Sequence, residues 1–361
     1  MLSLPRQAAL IAPMIQPSPQ QPTDVTELCN QLLEALPSES AALVIQLKLR
    51  SWLFQSLQTQ ACYPEAQIQL QLAQTILDEL KTLDSTQISL PLELFFLDKQ
   101  GSLARVQGHY ADAETYFQTA LQLAVVHDYA SSSFRLQCLN NLAIVYKYWG
   151  RFETANDLYT KLLAGTIEQY GESHIAVATI YHNLAGLHHA CRDYAAAEPY
   201  ARKSYLLHLH SIGPEHDQTI ADGAALASIL HGLGQWDEAI EYFENAIAFF
   251  KAQFGTTHYD VALNLNNLAA SLQAKGDFDG AEMAYRQALT IKEIILGKDH
   301  PETAISLNNL ASLLQKTGNY RESAELFEQA ISLFETTVGP MHPNTQLCRK
   351  NYDALTTSLT H

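Results

Sequence analysis

The sequence is poor in what catalysis, membrane insertion or nucleic-acid binding would require. Five cysteines (Cys29, Cys62, Cys138, Cys191 and Cys348) are spread over 361 residues with no CxxC pair. That spacing supports neither a disulfide framework nor a thiolate metal site, and it reads as reduced thiols in a cytoplasmic setting. Basic residues are scarce: 22 Lys and Arg face 38 Asp and Glu, a net charge of −16. This is the wrong sign for a surface that follows a phosphate backbone or an anionic bilayer. No apolar run approaches the roughly 20 residues of a bilayer-crossing helix. No GxSxG elbow, HExxH helix or paired-carboxylate motif occurs, so the chain reads as a non-enzyme with no cofactor. His188, His189 and Cys191 cluster, as do His208 and His210, but side chains one or two apart on a helix do not face one another. The reading therefore assigns no metal.

What is present is repetition. The segments YGESH, IGPEH, FGTTH, LGKDH and VGPMH end at His174, His216, His258, His300 and His342, each 42 residues after the last. A second series, Gly108, Gly150, Gly234, Gly276 and Gly318, keeps the same step, with Arg192 standing in the one glycine slot that breaks it. An aromatic follows each slot by two residues, then a small residue (Ala113, Ala155, Ala197, Ala239, Ala281, Ser323), then Phe117, Tyr159, Ala201, Phe243, Tyr285 and Phe327. A fixed period of this kind marks an array and outranks any local motif. Within one period, Leu307, Leu310, Ala311 and Leu314 carry a helical spacing, and Tyr320, Ala324, Phe327, Ile331 and Phe334 carry a second. Two helices per unit follow, with glycine reversing the chain between them and histidine, often followed by proline, opening the next unit. LGKDHPET at 296–303 lacks the spacing of a phosphate loop. Its histidine is expected to cap amides or bridge units.

The glycine turn, the aromatic, the alanine and the second aromatic on paired helices resemble the tetratricopeptide repeat (TPR). The 42-residue step, the LNNLA at 265–269 and 307–311 and the LGKDHPET joint are similar to the kinesin-light-chain subtype. Residues 23–88 lack the sustained heptads of a kinesin light chain, which points to a stand-alone bacterial protein instead. The resemblance implies an all-α fold, a right-handed superhelical solenoid of antiparallel helix pairs with helical caps. The expected divisions are a flexible arm at 1–22, an N-terminal helical cap or degenerate repeats at 23–88, six units at 89–345 and a C-terminal capping helix at 346–361.

In such stacks the first helix of each pair lines a concave groove. Registering the sequence on that pattern gives Asn140, Ile144, Lys147 and Tyr148; His182, Gly186, His189 and Ala190; Ala224, Ser228, His231 and Gly232; Asn266, Ala270 and Gln273; and Asn308, Ser312, Gln315 and Lys316. Asn141, Asn183, Asn267 and Asn309 match the usual repeat asparagine, expected to serve the turn between helices. Amides can pair with the main chain of an extended peptide. The small residues at the centre of the set suggest a pocket for one apolar anchor. The implied function is a protein–protein interaction adaptor holding an extended segment of a protein partner, with no nucleic acid, no membrane insertion and an open oligomeric state. The alternatives are an assembly factor or chaperone working through the convex face and the arm, and a small-ligand sensor at the histidine-rimmed pocket.

Overall fold

The computed structural model describes residues 63–83, 90–126 and 132–359, with a few positions between 43 and 54; the arm at 1–22 lies outside the described residues. All regular structure among the described residues is helical. The helices are α1 (Tyr63–Leu83), α2 (Leu90–Val106), α3 (Tyr110–Val126), α4 (Ser132–Tyr148) and α5 (Phe152–Tyr170). There follow α6 (Ile175–Ala190), α7 (Tyr194–Ile212), α8 (Asp217–Gly232), α9 (Trp236–Phe254) and α10 (Tyr259–Lys275). The last four are α11 (Phe278–Leu296), α12 (Pro301–Thr317), α13 (Tyr320–Thr337) and α14 (Pro343–Leu359). The chain forms two compact units, residues 1–158 and 159–361. In the first, α1 packs on α2, α2 on α3, and α3 on α4. In the second, each helix from α6 to α14 packs on the next in sequence, and α8 also touches α6 and α10.

The repeat period becomes this architecture through a few fixed positions. Ala113, Ala155, Ala197, Ala239, Ala281 and Ser323 are wholly buried, because a small side chain there lets two helix axes approach to about 8–10 Å. Phe117, Tyr159, Phe243, Tyr285 and Phe327 fill the space beside them and are equally inaccessible. The glycines of both series take φ between 77° and 96°, a region nearly closed to residues with a Cβ. Each joint histidine is an N-cap: Nδ1 of His174, His216, His258, His300 and His342 accepts the N–H two residues on, at 3.2–3.3 Å. The Oγ1 of Thr219, Thr303 and Thr345 then closes the joint onto the carbonyls of Gly213, Gly297 and Gly339 at 2.8–2.9 Å. LGKDHPET is thus a capped helix joint.

Departures from the repeat gather around α7 and α8. Arg192 holds the glycine slot at φ 58°, the one non-glycine residue with positive φ among those described. Its turn keeps the bonds of the glycine turns: Arg192 N–H donates to His189 O and Asp193 N–H to His188 O, both at 2.9 Å. The core here is also polar. Asp222 is buried at 3% exposure and His208 likewise. Asp222 Oδ1 lies 2.7 Å from His182 Nδ1 and Oδ2 lies 2.8 Å from His208 Nδ1. Ser204 Oγ reaches both that carboxylate and the Ala178 carbonyl. Equivalent positions elsewhere hold Cys138, Ile180, Asn264, Ser306 and Cys348 for Asp222, and Ala120, Leu162, Ala246, Ala288 and Ala330 for Ser204. Burial pushes the Asp222 carboxyl up, but the hydrogen bonds from His182, Ser204 and His208 together outweigh it and hold the group below its ordinary value. An ionised Asp222 accepts from Nδ1–H of both imidazoles, and the buried Nε2 of His208 has no hydrogen-bond partner among the described residues.

Two measurements follow from these departures. Arg192→Gly relieves a left-handed conformation that costs about 1 kcal/mol for a residue with a Cβ, so its melting temperature in thermal unfolding rises, whereas Gly234→Arg at the equivalent turn lowers it. For Asp222, a depressed folded-state pKa means that the stabilisation is complete above the unfolded pKa and is lost as pH falls through the folded value. Asp222→Asn is therefore expected to be less stable than wild type by about 2 kcal/mol at neutral pH. Urea unfolding at a series of pH values should show that gap closing below about pH 4.

Candidate functional site

The first helices present their outward residues in four rows, each stepping by 42. One row holds Asn140, His182, Ala224, Asn266 and Asn308, and the next Ile144, Gly186, Ser228, Ala270 and Ser312. A third holds Lys147, His189, His231, Gln273 and Gln315, and a fourth Tyr148, Ala190, Gly232 and Lys316. Every one of these positions is partly or fully exposed, while the Leu-Ala pairs between the first two rows, such as Leu142–Ala143 and Leu310–Ala311, are buried. The helical period therefore puts them on one face of each helix.

Much of the polar content of that face is already engaged between repeats. Asn309 Nδ2 donates to Asn266 Oδ1 at 3.0 Å and Asn351 Nδ2 to Asn308 Oδ1 at 3.2 Å, each bond spanning 43 residues. Within the first unit, Asn141 Nδ2 reaches Asp98 Oδ1 at 2.8 Å over the same span. Asn141 and Asn309 thus tie one first helix to the previous one, a correction to the expectation that they serve the turn within a pair. The residue 43 beyond His182 is Ala225, which has no donor. His182 bonds Asp222 instead, one turn earlier on α8. His231 Nδ1 similarly meets Ser271 Oγ at 3.0 Å, and its burial holds the imidazole below its ordinary pKa.

The small residues at the centre of the set pack more tightly than the sequence suggested. A Cβ on Gly232 would lie 2.7 Å from the Tyr194 ring. That glycine seats a tyrosine, so the space read as a pocket for a partner's anchor is filled there by the protein's own side chain.

The uncommitted groups lie elsewhere. Arg105 precedes Lys147 by one repeat and belongs to the third row, a position the registration begun at Asn140 left out. Both cations sit against the Tyr148 ring, Arg105 at 5.7 Å and Lys147 at 4.9 Å from its centroid. Tyr148 is 55% exposed. Neither cation makes an ion pair with a carboxylate among the described residues. Burial, and then the Arg105 guanidinium, hold the Lys147 ammonium below its ordinary pKa. In the second unit, the side chains of Gln315 and Lys316 make no hydrogen bond with described residues. Two buried thiols are poor nucleophiles: burial, then Asp98, push Cys138 up to about 12, and burial pushes Cys348 up to about 12. No group of three or more His, Cys, Asp or Glu able to hold a metal occurs among the described residues.

Known proteins share the architecture. A tetratricopeptide repeat model matches residues 96–168, 220–294 and 260–336, and a second such model matches 177–218. A clustered mitochondria protein homolog of Emericella nidulans is 30% identical over 97 residues, which are 27% of this chain and 8% of that protein. The chain thus corresponds to a small part of that fungal relative. Among solved structures, kinesin light chain nearly identical TPR-like repeats of Podosopora anserina align at 25% identity with a TM-score of 0.50, covering 56% of this chain and 96% of that one. The Rap conjugation gene regulator of plasmid pLS20, in complex with the Phr peptide, aligns at 17% identity with a TM-score of 0.63, covering 84% and 77%. With the repeat model matching more than half of its length, the chain belongs to the tetratricopeptide repeat family.

Proposed function

We propose that the protein is a non-catalytic interaction adaptor that holds an extended segment of a protein partner on the outward face of its first helices. The observation that carries this reading is the cationic corner of the first unit. Arg105 and Lys147 stand side by side, without a carboxylate, over an exposed Tyr148, in a chain of net charge −16. Burial and the neighbouring guanidinium disfavour the Lys147 ammonium, and an incoming carboxylate relieves that repulsion. The aromatic ring beside them supplies apolar area at little entropic cost. A segment with an acidic residue next to an apolar one fits this corner. In the second unit, Gln315 and Lys316 offer an amide and a cation on the outward face of α12 to a polar segment bound there. Free Cys138, Cys191 and Cys348 agree with a cytoplasmic setting. No helix among the described residues is long and apolar enough to cross a membrane. The Rap regulator's complex with a peptide supports peptide binding as a use of this architecture.

The test places a photo-crosslinking residue at the exposed Tyr148 and identifies the partner segment it captures. An Arg105→Glu, Lys147→Glu double variant, checked for folding by circular dichroism, should then bind that segment about tenfold or more weakly, with wild-type binding falling as salt is raised. Equal affinity of the folded variant and the wild type, or a captured segment without acidic residues, would remove the cationic corner from the reading.

A further inference from the structure

The repeat register shows one place where glycine replaces a large core side chain. Leu139, Tyr181, Leu265 and Leu307 occupy equivalent positions on the first helices, and α8 has Gly223 there. A cavity of about 470 Å³ lies over this glycine, between α7, α8 and α9. Ile220 and Gly223 form its floor, and Phe249 forms one side. Tyr205 and Tyr242 meet edge to face above the floor, with centroids 5.2 Å apart and planes at 83°. A Cβ on Gly223 would stand 3.2 Å from the Tyr242 ring and 3.5 Å from the Tyr205 ring, so the glycine seats both rings and a larger residue there would push them out over the cavity.

The polar groups around this apolar floor are uncommitted. The hydroxyls of Tyr205 and Tyr242, the amides of Asn245 and Gln253 and the carboxylate of Glu215 make no hydrogen bond or ion pair with any described residue. Glu215 is the only charged residue of the lining. Apolar walls with a few convergent polar groups are the usual composition of a binding site, and here most of those groups accept hydrogen bonds. A ligand made only of aromatic or aliphatic carbon would leave them unpaired. A guanidinium matches them: it is planar, stacks on tyrosine faces, carries five N–H donors and is weakly hydrated for a cation.

We propose that this cavity takes an arginine side chain from a protein partner, its guanidinium set against the Tyr205–Tyr242 pair and donating to Glu215, with the Asn245 and Gln253 carbonyls accepting the remaining N–H groups. The chain's net charge of −16 favours approach of such a segment. The site includes neither Ser228 nor His231 and none of the residues of the cationic corner, so either site can fail alone.

The experiment titrates the full chain with the peptide acetyl-Ala-Leu-Arg-Ala-amide, with the same peptide carrying citrulline, and with agmatine, following the Gly223 amide and the tyrosine rings by NMR. Wild type is expected to bind the arginine peptide at least about tenfold more tightly than the citrulline peptide, and more tightly than agmatine. Gly223→Leu should abolish binding by filling the floor. Glu215→Gln, an exposed change of equal size that leaves the core untouched, should weaken binding about fivefold or more even if the leucine variant folds poorly. Equal binding of arginine and citrulline peptides, an unchanged affinity in Glu215→Gln, or no shift at these residues up to about 10 mM peptide would overturn the proposal. Agmatine binding as tightly as the peptide would overturn the protein-partner origin of the ligand.

Discussion

The closeness of two helices at a small side chain governs the rest of the architecture. Where Ala239, Ala281 and Ser323 are wholly buried, the neighbouring helix is near enough for one aromatic to close the remaining gap. An isoleucine or leucine there would push the axes apart and strand that aromatic. The short reversals between helices follow from the same constraint. Helices this close leave room for only a tight turn, and a tight turn of this hand needs positive φ.

Polar side chains then decide how neighbouring repeats are held together. In the second unit the ordinary joint is neutral, one asparagine amide donating to another at 3.0–3.2 Å. The α6–α8 joint replaces it with a buried carboxylate between two imidazoles. Such a centre is stable only with every partner in place, since removal of one leaves a charge without compensation in a poorly polarisable surrounding. The same stretch carries Arg192 in a strained turn and Gly223 in place of a core leucine. The array therefore contains one pair built to different rules, and both the polar centre and the open cavity belong to it.

The helices and the buried stripe were legible because each rests on a position repeated every 42 residues. His174 and its equivalents read as joints, and they are N-caps; Ala239 and Phe243 read as a packed crossing, and they are buried. The outward rows were legible for the same reason. Which outward groups are free was not, because that depends on neighbours one repeat away: Asn266 is engaged by Asn309 and Gly232 is covered by Tyr194. Arg105 could have been found by extending the Lys147 register back one step. Asp222 and Gly223 could have been flagged as residues that break the pattern of their columns. The geometry that turns those breaks into a carboxylate centre and a cavity depends on tyrosine and histidine rotamers, which carry no period.

The asparagine bonds have a kinetic consequence. Each spans 43 residues, so closing one requires only a single repeat of chain to become ordered, and no contact of this kind waits on distant sequence. Stacks of such short-range contacts can begin folding at any repeat and grow outward by addition. Closing the joint at α8 desolvates Asp222, a cost offset only when His182 and His208 are both in position. That joint is the natural place for the advancing front to pause, and so for the two sides of the second unit to order at different times.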